Sequence, residues 1–250
     1  MIISSSPLLK KPNSKTMDTE VLYGESLELL EIKNKWGYCQ LLDDKYKGWI
    51  NINHLGELPR ANSKVSVNRT FVYELPSIKS KIYTHLTLNS KININQYNNT
   101  WSTINLNPEI SFNKGYVLNS HTLNINHVIE DWVSVAEKLV GTPYRWGGKD
   151  TIGFDCSALV QISIANSGIN FPRDTALQKK ARLNIKNSYS SFSRGMLVFW
   201  EGHVGIMLDD NYIIHANEFY MSTVIEKVEN VIERALENKK EITHILEIKS

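Results

Sequence analysis

Cysteine is scarce: only Cys39 and Cys156 occur among 250 residues. Two are too few for a disulfide framework, and they fall in stretches of different character. There is no Cys-x-x-Cys pair and no His-Glu-x-x-His, so no metal site is implied. His54, His85, His121 and His127 lack ligand-like spacing as well. No apolar run approaches the ~20 residues that span a bilayer. Charge of one sign is also missing: 28 Lys and Arg against 26 Asp and Glu leave a net +2. Nothing in that balance argues for nucleic acid or an acidic membrane surface as a partner. The first residues, MIISSSPLLKKPNSK, lack the order of a secretory signal, so a cytoplasmic protein is expected. Gly147-Gly148-Lys149 is not a phosphate loop, because Pro143 and Asp150 stand where Gly and Ser or Thr are required. No cofactor is expected.

What is present divides in two. Residues 1–125 read as short strands rich in Val, Ile, Leu, Tyr and Thr, punctuated by Asn, Ser, Gly and Pro. A weak repeat runs through them. Gly24–Leu55 and His85–Leu123 each hold an alternating strand, a polar turn and a Trp (Trp36, Trp101). Each then has a second strand, a Lys-Gly-aromatic-aliphatic step (Lys47–Ile50, Lys114–Val117), and a closing His and Leu. The layout resembles bacterial SH3-like barrels in tandem, over residues 1–58 and 63–125. Gly56–Asn62, with Pro59, reads as the linker. Trp36, Trp101 and Cys39 are expected in cores. Tyr46 and Trp49, on a turn-rich stretch, are better candidates for a ligand-facing edge.

Residues 126–250 carry the chemistry. An amphipathic helix is expected over 128–140. After an aromatic- and glycine-rich loop, Asp155 sits where an N-cap belongs, and Ala158, Leu159, Ile162 and Ala165 recur at helical spacing. Cys156 is therefore expected in the first turn of a helix, where unpaired N–H groups and the dipole favour a thiolate and can hold an oxyanion. A lone cysteine is more commonly a packed core residue, so position alone does not decide. A polar helical stretch is expected after Thr175 to about Asn187, and a late helix over Ile225–Leu236. Strands over 195–200, 203–208 and 212–216 would form hairpins, the last across Asp209–Asn211. Opposed residues there have numbers summing to roughly 418–421, which makes His203 and His215 cross-strand neighbours. Two adjacent imidazoles facing a helix-start cysteine form a nucleophile–base–orienter set.

Several further motifs share one order. They are YRWGG (Tyr144–Gly148), GFDCSAL (Gly153–Leu159), FPRDT (Phe171–Thr175), GMLVFW (Gly195–Trp200), HVGIM (His203–Met207) and IIHA (Ile213–Ala216). Over about ninety residues this resembles the NlpC-type cell-wall cysteine peptidase family, with Ala158 where the family usually has Gly. The resemblance implies an α+β fold: two small SH3-like β-barrels, then a papain-like peptidase domain. It implies Cys156 as nucleophile, His203 as base and then acid, and His215 as the orienting third member. The combination with SH3-like domains resembles the γ-D-glutamyl-L-diamino acid endopeptidases of the dipeptidyl-peptidase VI type, whose substrates begin with a free L-Ala-γ-D-Glu unit. In that group an acid beside the nucleophile holds the peptide's amine and a barrel residue closes the cleft. Asp155 matches the acid, Ser157 a second polar contact, and Tyr144 and Trp146 an aromatic wall. Thr175 joins the substrate-binding set. Tyr46, in DDKYKGW, is the better match for the barrel contact, and Glu25 the weaker.

The expected partner is a peptidoglycan-derived peptide. A wall-remodelling hydrolase, an acyltransferase or amidase using the same Cys and His pair, and a non-enzymatic wall-binding module are the competing readings.

Overall fold

A computed structural model of the chain describes residues 1–106, 114–181, 184–185 and 191–248. It divides into two compact units, Met1–His127 and Val128–Ser250. Among the described residues no helix is long and apolar enough to cross a membrane.

Among its described residues the regular structure of the first unit is all strand apart from two short 3-10 turns, and the repeat is visible in it. Lys47–Asn51 and Lys114–Leu118 have the same alternation of burial, with the glycine and the aliphatic residue inward. Each glycine lets another strand cross closely. A Cβ on Gly48 would lie 2.7 Å from Leu8 Cγ, and one on Gly115 2.4 Å from Val72 Cγ1. A 3-10 turn follows each strand and ends in a histidine. His54 Nδ1 meets Ser6 Oγ at 2.7 Å and His121 Nδ1 meets Thr70 Oγ1 at 2.8 Å. The repeated histidine is thus a strut, and burial lowers the pKa of both rings.

Each copy has its own core: Leu8, Val21, Cys39, Leu41 and Ile50 in the first, Val65, Val72, Leu86, Ile104 and Val117 in the second. Cys39 and Trp101 are buried, as expected, whereas Trp36 is only half covered. The closed barrel is corrected. The first copy is a two-stranded and a three-stranded sheet joined by the Leu9–Trp49 bridge. The second is a five-stranded and a three-stranded sheet. Among the described residues no sheet closes on itself.

The second unit is an antiparallel sheet with helices packed on it. Its strand order is Asn184–Ile185, His244–Glu247, Met196–Trp200, His203–Met207, Tyr212–Asn217, Ser222–Lys227. Helix α1 spans Val133–Glu137, α2 Cys156–Ala165, α3 Thr175–Gln178 and α4 Val228–Glu237. Helix α2 is buried along almost its whole length and packs on the two central strands that carry His203 and His215. An all-round apolar helix has no solvated face, so it can only be central. Leu159 and Ile164 are fully buried, each stabilising by roughly 1.5–3 kcal/mol. Another core, with Met196, Val198, Trp200, Met207 and Ile213, is covered by Val228 and Val231 of α4.

Three sequence expectations need correction. Helix α1 is five residues long, not thirteen, and Val128 and Val140 at the ends of the expected helix are exposed. Helix α3 ends at Gln178, and Asn184–Ile185 is a strand paired with Leu246–Glu247; the remainder of that expected helix falls partly outside the described residues. The late helix begins at Val228, because Ser222–Lys227 pairs residue by residue with Tyr212–Asn217.

Candidate active site

The cysteine stands where its neighbours place it. Asp155 is extended (φ −89°, ψ 174°), and its side chain accepts from Ala158 N, so it caps α2 and leaves Cys156 as the first helical residue. Cys156 is 6% exposed. Its sulfur is hydrogen-bonded by the Val204 backbone N–H and by the Thr175 side chain. The Val204 contact sets the sulfur beside the residue that follows His203.

The hairpin keeps the expected register. Ile206 pairs with Ile214 and Met207 with Ile213, each summing to 420. His203 Nε2 lies 2.7 Å from His215 Nδ1, the rings 5.0 Å apart at their centroids. Gly205 makes this possible. A Cβ there would meet Ile213 Cδ1 at 2.5 Å and His215 Cβ at 3.3 Å.

The electrostatics correct one expectation. Burial, with Asp155's negative charge added, pushes the Cys156 thiol up to about 11, despite its place at a helix start. Burial, then the neighbouring His215, lowers His203 to about 3. Both shifts act against a standing thiolate–imidazolium pair. The two bonds to the sulfur oppose the shift and favour the thiolate once a proton has an acceptor.

Behind His215 the structure continues into residues that motif reading had not assigned. His215 is 1% exposed, and its Nε2 lies 2.8 Å from Glu226 Oε1. Arg234 of α4 bonds both Glu226 oxygens, at 2.6 and 3.1 Å. The guanidinium stacks 4.4 Å from the Phe219 ring centroid. Burial would raise the Glu226 pKa, but hydrogen bonds from His215 and Arg234 overcome it and hold the carboxyl at about 2.

Asp155 is more heavily committed than an N-cap. Its Oδ1 accepts from Ser157 Oγ, Ala158 N and Arg173 Nη1, and its Oδ2 from Gly147 N and Arg173 Nη2. Arg173 is 1% exposed and also reaches Ser157 Oγ at 2.8 Å. Two carboxylate oxygens offer about four lone-pair sites, so these donors fill them. Arg173 was legible inside FPRDT, but its partner was not, eighteen residues earlier.

The other expected residues fall in two groups. Tyr144 is half-buried near Cys156 and Asp155; burial first, then their charges, raise its phenol pKa. Trp146 is 70% exposed, just before the Gly147 N–H that binds Asp155. Tyr46 and Glu25 belong to the other unit. Tyr46 is half-buried against the first core, and Glu25 Oε2 closes a turn by accepting from Leu22 N at 2.7 Å.

Residues 141–237 match the model of the NlpC/P60 family, and residues 8–55 that of the bacterial dipeptidyl-peptidase Sh3 domain. The chain carries an NlpC/P60 domain. Membership of this domain in the NlpC/P60 peptidase family supports a cysteine peptidase. Dipeptidyl-peptidase 6 of Lysinibacillus sphaericus is 27% identical over 223 residues, covering 79% of each chain. A probable endopeptidase NlpC homolog of Haemophilus influenzae is 40% identical over 87 residues, 34% of this chain and 46% of that one. The bifunctional muramidase/DL-endopeptidase CwlT of Bacillus subtilis is 39% identical over 92 residues, 33% of this chain and 27% of its own. The chain thus spans less than half of these last two relatives. An NlpC/P60 family protein from Bacillus cereus shares the fold, with a TM-score of 0.79 and 18% identity over 91% of this chain and 93% of that one.

Proposed function

We propose that this NlpC/P60 protein is a peptidoglycan endopeptidase that hydrolyses the γ-D-glutamyl–diamino acid bond of stem peptides bearing a free N-terminal L-Ala. The observation that carries the reading is the linked set: Cys156 at the cap of α2, its sulfur on Val204 N–H, and a neutral His203 bonded to a buried His215.

Cys156 Sγ attacks the γ-carbonyl carbon while its proton passes to His203. The carbonyl electrons move to oxygen, and the Cys156 backbone N–H helps hold the oxyanion. On collapse the C–N bond breaks, and His203 returns the proton to the leaving amine. Water, deprotonated by His203, then attacks the thioester; the acyl C–S bond breaks and the thiol recovers its proton. Because both shifts act against a charged pair at rest, proton transfer accompanies attack.

Asp155 recognises the free amine, with Ser157 yielding. The Ser157 hydroxyl is the one neutral side-chain donor on the carboxylate, and it rotates away when an ammonium arrives. Tyr144 and exposed Trp146 flank the peptide, and Thr175, on the sulfur, lies at the reacting carbonyl. Of the two SH3-like modules, residues 1–58 and 63–125, Tyr46, or Glu25 less readily, is the residue that contacts the peptide. The relationship to a dipeptidyl-peptidase, over 79% of each chain, supports this over action on intact wall.

The test is product analysis by mass spectrometry on L-Ala-γ-D-Glu-diaminopimelate, with its amine free or acetylated. Cleavage of the free peptide with greatly weakened cleavage of the blocked one supports the reading. Equal rates remove the Asp155 role, and cleavage only of intact sacculi overturns the recycling assignment.

A further inference from the structure

We propose that Glu226 is a positioning residue: it fixes the proton on His215 and, through it, on His203, so that His203 Nδ1 is the nitrogen left bare to serve as base. The inference rests on the peptidase reading for its purpose, though not for its geometry.

The two strands that carry His215 and Glu226 are paired, with Ile213 opposite Glu226 and His215 opposite Val224. Residues 213 and 215 share a face, so Glu226 is the diagonal neighbour of His215 on that face. Glu226 Oε1 lies 2.8 Å from His215 Nε2, and Arg234 grips the same carboxylate. A carboxylate paired with arginine is ionised and can only accept, so His215 Nε2 must carry a proton. In a neutral ring Nδ1 is then bare. It faces His203 Nε2 at 2.7 Å, so His203 Nε2 must be the donor. By the same rule His203 Nδ1 is left as the lone-pair nitrogen.

The opposite arrangement is built in alongside. Asn217 Nδ2 lies 3.0 Å from His215 Nε2, while Asn217 Oδ1 is held by Tyr220 N. That amide presents a donor to a nitrogen which cannot accept while it is protonated. Without Glu226, Asn217 would donate to Nε2 and His215 would carry its proton on Nδ1. His203 Nε2 would then have to accept, and His203 Nδ1 would be protonated and useless as a base. The charged acceptor wins because charge-assisted hydrogen bonds are roughly twice as strong as neutral ones.

The experiment reads proton positions directly. Full-length Cys156→Ala with ¹⁵N-labelled histidine is examined at pH 7.5 by long-range ¹H–¹⁵N correlation. Both His203 and His215 should be protonated at Nε2 and bare at Nδ1. Adding Glu226→Leu should move both protons to Nδ1, whereas Glu226→Gln, whose amide oxygen still accepts, should leave them in place. With Cys156 restored, Glu226→Leu should lower kcat about 100-fold with KM within about threefold, and Glu226→Gln should recover most of the rate. A protonated His203 Nδ1 in the parent, or unchanged protons in a folded Glu226→Leu, overturns the proposal. Should Glu226→Leu fail to fold, the parent spectrum and the Glu226→Gln rate still decide. The spectra need no turnover, so this inference and the peptidase reading fail separately.

Discussion

Two carboxylates in the NlpC/P60 domain are each gripped by an arginine, yet they end in opposite conditions. Asp155 is filled by donors from its own loop and helix and by Arg173, one of the most deeply buried side chains in the protein. Glu226 is held by Arg234 at the domain's margin and spends one oxygen on His215. The first clamp builds the turn that presents Cys156; the second ends in an imidazole. Being next to the nucleophile in sequence therefore does not make a carboxylate part of the proton path.

Removing each arginine separates the two clamps most sharply. Arg173→Met should cost about 3–5 kcal/mol in urea unfolding, because it strands a buried charge. Arg234→Met removes a guanidinium 23% exposed and leaves Glu226, 8% exposed, with His215 still bonded to it, so it should cost less, roughly 1–3 kcal/mol. Equal costs would erase the distinction. His215→Ala should slow turnover roughly 10- to 100-fold without abolishing it. A loss as complete as that of Cys156→Ala would make His215 more than an orienter.

Acid titration gives a smaller, graded effect. Glu226 has a folded pKa of about 2 against an ordinary 4.5, so its stabilising contribution is present above pH 4.5 and is lost as pH falls toward 2. His203, partly buried and held at about 3 against 6.5, stays neutral while the unfolded chain takes up the proton. Its contribution is present above pH 6.5 and is lost as pH falls toward 3. Unfolding midpoints followed from pH 7 to 2 should show both windows, and Glu226→Gln should flatten chiefly the lower one. Smallest of all, Tyr46→Ala should raise KM a few-fold, with a stability cost from its half-buried ring. Unchanged KM would place the barrel contact elsewhere.

The nucleophile, its cap and the paired imidazoles were legible because each depends on local rules. Asp155 caps the very helix its position announces, and the Asp209–Asn211 turn sets the hairpin register to within two residues. Glu226 was hidden by a boundary error. Reading Ile225 as the start of a helix put Glu226 in a helical turn, whereas backbone pairing with the preceding strand extends the sheet to Lys227. The burial that works against the expected thiolate was hidden for a similar reason. Helix-start chemistry is local, but desolvation depends on how deeply α2 is buried, which one stretch of sequence does not display. In the first unit the repeat could be read from its Lys-Gly steps, while closure of the sheets could not, since it depends on where distant strand pairs break.

The most direct measurement compares wild type with folded Cys156→Ala on L-Ala-γ-D-Glu-diaminopimelate, with products followed by mass spectrometry. Wild type should release L-Ala-D-Glu and free diaminopimelate, and the variant should be slower by at least about 10³-fold. Undiminished release by Cys156→Ala would contradict the account at its centre.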